Sequence, residues 1–253
     1  MRILSALLLV LAVAVGTATT GARAADLKLL TAGAYKAAAV ELCAAWEKQT
    51  GHKVTIENDT AGNLAKRVAA GEYFDIVVMP PLVMGPYLGN RLDQSSAKPL
   101  ATVGIGVVVR AGAPKPDIGT VDSWKQALLS AKSIAYIDPA SGGSSGIYLA
   151  KRFEEMGIAG QLAPKTVLVK GGLVAARVAS GEAEIGLQQM SELIGQPGVT
   201  VVGPIPLEVQ HYTMYSAAIS VASRNPMEAA ALMRFLDDPK NGDILKSKGL
   251  SGP

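Results

Sequence analysis

The 253-residue chain contains one cysteine and two histidines. A lone cysteine closes no internal disulfide, and with so few histidines the usual zinc sites built from Cys and His are ruled out. Aromatic residues make up 5% of the chain, too few for the stacking platforms of a single-strand nucleic-acid binder. Charged residues reach only 18%, and 24 basic against 21 acidic side chains leave a formal net charge of +3. That surplus makes no electrostatic case for nucleic acid. No Gly-Lys-Ser/Thr closes a phosphate loop, no Rossmann fingerprint with a distant acid is present, and no HExxH occurs. No nucleophile paired with a base stands out. What the chain does have is apolar material, 49% of its residues, enough to build a core for one large domain or two small lobes.

The first residues have the form of an export signal. Arg2 precedes a largely apolar run from Ile3 to Val15, and small residues follow, ending Ala22-Arg23-Ala24. A basic start, an apolar stretch shorter than the roughly 20 residues of a membrane span, and an A-x-A site predict a cleavable signal peptide over residues 1–24. Cleavage after Ala24, or one residue later, leaves a mature chain of about 229 residues. No cysteine stands there to carry a lipid. A periplasmic, monomeric product is expected.

Beyond this point short strands and helices alternate. Leu27–Leu30 reads as a buried strand, and Lys36–Thr50 as a helix with Ala39, Leu42, Cys43 and Trp46 on one face, stopped by Gly51. Strands follow at 52–58 and 74–79 around a helix at 63–70. Further strands are expected at 103–110, 133–137, 166–170, 185–187 and 199–202, and helices at 123–129, 147–156, 173–179 and 227–236. Alternating β and α units predict an α/β fold with mostly parallel sheets flanked by helices.

The chain also echoes itself. Gly62-Asn63-Leu64-Ala65-Lys66-Arg67-Val68-Ala69-Ala70-Gly71-Glu72 recurs 110 residues later as Gly172 to Glu182, with seven of eleven positions identical. Each copy sits between two expected strands. This predicts two lobes of similar build facing each other across a cleft.

Four turns lead from strands into helices and carry small or hydroxyl residues: Thr31 to Tyr35, Thr60 to Asn63, Ser141 to Gly146, and Lys170 to Gly172. Ligands of open α/β sheets sit beyond such strand ends. Glycine admits close backbone approach, and the free N–H groups of a helix N-terminus attract anions. The turns therefore predict an anion site made of uncharged donors.

The chain resembles the periplasmic molybdate-binding proteins of ABC importers and their wider group of type II solute receptors. The resemblance rests on Trp46 to Val54, Gly62-Asn63-Leu64-Ala65, Phe74 to Val78, Ser145-Gly146-Ile147-Tyr148, Gly181 to Gly186 and Tyr215-Ser216-Ala217-Ala218. It implies a two-lobed fold, with residues 25–105 plus 215–253 in one lobe, 106–214 in the other, and the ligand between them. It also implies ligand positions. Gly33 stands where the family has a first serine, beside Ala34 and Tyr35. Ala61 stands where it has a second, beside Thr60, Gly62 and Asn63. Ser145, beside Ser144, falls where a backbone amide donates, Gln188 or Gln189 where another does, and Tyr215 where a hydroxyl reaches in. Lys170 closes the strand before the fourth turn. The loss of both serines points from molybdate toward a larger organic carboxylate.

The resemblance implies a receptor that hands a small anion to an inner-membrane ABC permease, with no cofactor and no metal. An alternative is an enzyme on the same scaffold. Aconitate isomerases resemble the molybdate receptors and shift a proton between trans- and cis-aconitate, for which Lys170, His211 or a cleft tyrosine would be the base.

Overall fold

The computed structural model describes residues 24–253, so the expected signal peptide falls, but for Ala24, outside the described residues. The chain begins β1 (Asp26–Ala32), α1 (Gly33–Thr50), β2 (Lys53–Asp59), α2 (Ala61–Ala69), β3 (Ile76–Met79), α3 (Pro81–Met84) and β4 (Lys98–Val103). Next come β5 (Ile105–Arg110), α4 (Val121–Ser130), β6 (Ile134–Ile137), α5 (Ser144–Glu155), α6 (Ala159–Leu162), β7 (Thr166–Val169) and α7 (Val174–Ser180). It ends with β8 (Ile185–Gln189), α8 (Met190–Leu193), β9 (Val199–Pro204), β10 (Thr213–Ile219), α9 (Pro226–Leu236) and α10 (Gly242–Ser247).

Two five-stranded sheets result, ordered β2-β1-β3-β10-β4 and β7-β6-β8-β5-β9. Position by position the two orders correspond, with β10 and β5 in the same place. Both are strands that enter immediately after the chain changes sheet. Each runs antiparallel to its two neighbours, whereas β1 with β2 and β3, and β6 with β7 and β8, are parallel. The sheets are therefore mixed rather than mostly parallel, because the crossing strands arrive from the other lobe and not from a βαβ return. The expected strand at 103–110 is in fact two: β4 ends at Val103, Gly104 turns against the side chains of Gln210 and Tyr212, and β5 opens the second sheet.

Each sheet has its own apolar core. Leu29, Leu30, Tyr35, Leu42, Trp46, Val77 and Tyr215 belong to one. Ile105, Trp124, Leu149, Phe153 and Leu187 centre another. The internal echo has a structural counterpart: α2 and α7 each follow an edge strand and lead into the middle strand of their sheet. Both copies end on a left-handed glycine, Gly71 at φ 76° and Gly181 at φ 86°. Across that turn the repeated arginine and glutamate pair, Arg67 with Glu72 and Arg177 with Glu182. The copies differ at their start, where Gly62 lies inside α2 but Gly172, at φ 83°, precedes α7.

Candidate functional site

A cavity of about 420 Å³ opens between the carboxyl ends of the parallel strands of both sheets. One wall is the end of β1 and the first turns of α1, with Gly33, Ala34, Lys36 and Val40, joined by Asp59, Thr60 and Ala61 where β2 passes into α2. The facing wall carries Ile137, Gly143, Ser144 and Ser145 at the start of α5, then Gly172 and Leu173. Gln188 of β8, Ser191 and Glu192 of α8, and Tyr215 of β10 close the back. The N-termini of α1, α2 and α5 meet here because all three helices leave the same ends of parallel strands.

Direct bonds tie the walls together. The Thr60 hydroxyl accepts from the amide of Asn63 at 3.2 Å and donates to the Ser141 carbonyl at 2.5 Å. Beside it the Gly62 amide donates to the Gly142 carbonyl at 3.1 Å. A Cβ at Gly62 would lie 2.8 Å from the Gly142 Cα, so only glycine permits this approach. At the back Ser191 Oγ donates to the Ala34 carbonyl at 2.7 Å and pins α8 onto α1.

Ser144 Oγ lies 3.0 Å from the Tyr215 hydroxyl and accepts from Gln189 Nε2 at 3.2 Å. Gly142-Gly143-Ser144-Ser145-Gly146 matches the letters of a nucleophile elbow, but the neighbours of Ser144 are a phenol and an amide, and neither is a base. Tyr215 sits at a register shift in the β10–β4 pairing, an irregularity of the kind that re-aims a side chain. Ser145 Oγ makes no hydrogen bond among the described residues and remains available to a ligand. Gln188 accepts from the Val174 amide at 2.8 Å and donates to the Gly172 carbonyl at 3.0 Å, which holds the loop before α7 against the cavity.

Glu192 stands in no sequence motif. The carboxyl is half-buried where α8 meets α1, and one of its oxygens occupies the place a Cβ on Gly33 would take. Among the described residues no cation pairs with it. Enclosure by protein pushes the carboxyl up to about 8, with the nearby amide of Gln188 acting in the opposite direction. Burial first, and the charge of Glu192 second, hold the Tyr215 hydroxyl well above the ordinary phenol range, while Ser144 and Gln189 pull the other way.

Of the positions expected from sequence, Gly33, Ala34, Thr60, Ala61, Ser144, Ser145, Gln188 and Tyr215 line the cavity. Five others lie elsewhere. Tyr35 is fully buried on the core face of α1, its hydroxyl without a partner among the described residues. Gly62 seals the contact with Gly142, and Asn63 turns its amide to Asp59 Oδ1 at 2.9 Å. Lys170 is exposed, and the backbone turns inward only two residues later. Gln189 points to the opposite face of β8 from Gln188, as strand alternation requires, and braces Ser144 and Thr213. Of the three suggested bases only a tyrosine, Tyr215, reaches the cavity; His211 stacks on Tyr148 with ring centroids 4.7 Å apart. The signal that would have found Glu192 is positional: it lies just beyond the carboxyl end of a central strand, in chain order after the Gln188-Gln189 pair.

Comparisons with known proteins agree with this architecture. An aconitate isomerase from Pseudomonas sp is 35% identical over 231 residues, covering 88% of this chain and 87% of that protein. The molybdate-binding protein ModA of Azotobacter vinelandii is 25% identical over 255 residues, covering 95% of this chain and 96% of that protein. The solved periplasmic molybdate-binding protein of Azotobacter vinelandii superposes with a TM-score of 0.73 at 20% identity, over 90% of this chain and 99% of that one. A crystal structure of L-phospholactate-bound PEB3 reaches 0.68 at 17% identity, over 90% of this chain and all (100%) of that one. At these identities the two structures speak for the fold alone, and that fold is the two-lobed type II periplasmic binding protein. A family model described as bacterial extracellular solute-binding protein matches residues 27–251, and the chain belongs to that family.

Proposed function

We propose that the chain captures a small organic polycarboxylate between two lobes, one of residues 25–104 with 213–253 and one of residues 105–212, each expected bound shifted by one or two residues to follow β5 and β10, and isomerises it by a proton shift of the trans-/cis-aconitate type. The observation that carries this reading is the cavity itself. At about 420 Å³ it falls in the range of small-molecule sites, roughly 300–1,000 Å³, and its walls mix hydroxyl and amide donors with the apolar Val40, Ile137 and Leu173. Such a lining suits a carbon skeleton bearing several carboxylates better than a bare tetrahedral oxyanion. The 35% identity to an aconitate isomerase over most of both chains supports the same choice. By the resemblance Gly33 and Ala61 take the family's serine positions, and at Gly33 the space a side chain would fill holds the Glu192 carboxyl instead.

A second reading is a receptor that hands the anion to an inner-membrane permease after export to the periplasm. The bonds from Thr60 and Gly62 to Ser141 and Gly142 favour it, since a lobe-to-lobe latch is what a closing receptor requires. In both readings the ligand is a small anion and the protein acts without a metal or cofactor.

The deciding experiment is to incubate the purified protein with trans-aconitate and follow the cis isomer by proton NMR. Conversion supports the enzyme. No conversion over hours, with thermal stabilisation by trans-aconitate retained, leaves the receptor. A ligand at a hundred times its dissociation constant adds about 2.7 kcal/mol of apparent stability. Stabilisation by molybdate alone would end both carboxylate readings.

A further inference from the structure

We propose that Glu192 is the catalytic acid–base of this cleft, taking a proton from the CH2 carbon of a bound allylic polycarboxylate and returning it to the other end of the same three-carbon unit. The assignment rests on the isomerase reading above and adds the group that performs the step.

α8 follows β8, the middle strand of the second sheet, yet Ser191 fastens it to α1 of the first lobe. Glu192 is thereby held at the cavity wall where both lobes meet. Glu192 is also coupled to Gly33. A Cβ at position 33 would collide with the Glu192 carboxylate, so a side chain at 33 and this placement of the carboxyl exclude one another. At the start of α1 the space a side chain would fill is taken instead by a group that carries a proton. A site built only to hold anions gains nothing from an added carboxyl, which repels its ligand whenever ionised.

The charge around Glu192 is sparse. The other charged side chains lining the cavity are Lys36 of α1 and Asp59 at the end of β2, and neither forms an ion pair with Glu192. From α8's other neighbours, Gln188 of β8 lies beside the carboxyl with its side-chain amide engaged by Val174 and Gly172, and Tyr215 of β10 faces it with a neutral hydroxyl. With a carboxyl at about 8 the group is mostly protonated at neutral pH, so an anionic ligand enters without repulsion, and the ionised minority serves as base.

The chemistry balances. The carboxylate removes a proton from the CH2, breaking one C–H bond, and the electron pair delocalises over the allyl unit into the adjoining carboxylate. Ser145 and the start of α5 line the same cavity as donors for that developing charge. The double bond moves one position, the resulting COOH delivers its proton to the former vinyl carbon, and Glu192 ends as it began. Nothing is oxidised or reduced.

The test compares wild type with Glu192→Gln. Expected are a fall of at least a thousandfold in kcat for trans-aconitate and a calorimetric Kd within about fivefold of wild type. The wild-type pH profile is a second measurement that needs no variant: kcat/KM should rise about tenfold per pH unit below pH 8 and level above it. An active wild type with a Glu192→Gln variant within tenfold of it, or a profile flat from pH 6 to 9, overturns the assignment while the isomerase stands. A wild type that binds trans-aconitate but never converts it overturns the isomerase, and the assignment with it.

Discussion

Replacing Glu192 by glutamine tests the electrostatics of the cleft with no ligand present. Folding carries this carboxyl from its ordinary 4.5 up to about 8. Between those values the folded protein holds more protons than the unfolded chain, so the wild type loses stability as pH rises from about 4.5 to 8 and levels off above. Glutamine has the same shape and no titration. Linkage over the window from pH 7 to pH 9 then has the wild type losing about 1.4 kcal/mol relative to Glu192→Gln, with the variant the more stable protein at the alkaline end. Urea unfolding at both pH values, followed by the fluorescence of Trp46 and Trp124, measures that difference directly. Because each protein serves as its own reference across pH, any constant cost of the amide cancels. An equal wild-type-to-variant gap at pH 7 and pH 9 would refute the idea that enclosure between the lobes holds this proton.

Three further changes test other parts of the site. Gly62→Ala places a Cβ 2.8 Å from the Gly142 Cα and should hold the lobes apart, weakening trans-aconitate binding by ~1–3 kcal/mol in calorimetry with the circular dichroism spectrum unchanged. Wild-type affinity would show that the Gly62–Gly142 contact has no part in closure. Ser145→Ala removes a cavity hydroxyl that has no protein partner among the described residues, and should cost about 1–2 kcal/mol of binding to the same ligand if the hydroxyl donates. Cys43 is 2% exposed and burial pushes its thiol up to about 12, so Ellman's reagent at pH 8 should label it only after unfolding in urea. Rapid labelling of the native protein would contradict its place in the α1 core.

The α/β alternation, the position of most helices and the pairing of Arg67–Glu72 with Arg177–Glu182 as equivalents were legible in the sequence, because each depends on near neighbours. Apolar spacing sets a helix face, and glycine sets a left-handed turn, whatever lies across the molecule. The split of residues 98–110 into two strands in different sheets was not legible. β4 and β5 are nearly contiguous, and only pairing with β10 on one side and with β8 and β9 on the other separates them.

The same division runs through the cleft. The chain alone determined which turns carry donors, since small and hydroxyl residues at strand ends declare themselves locally. It did not determine which donors face the ligand. Tyr35 and Gln189 are of the right kind and point into packing instead, because helix phase and strand alternation turn them there. Glu192 reads in sequence as one acid among 21, with no motif around it. It becomes exceptional only when a helix from the second lobe lies against Gly33 of the first, since the energy of a carboxyl depends on how much water surrounds it. That is a property of the assembled space, and no stretch of neighbouring residues encodes it.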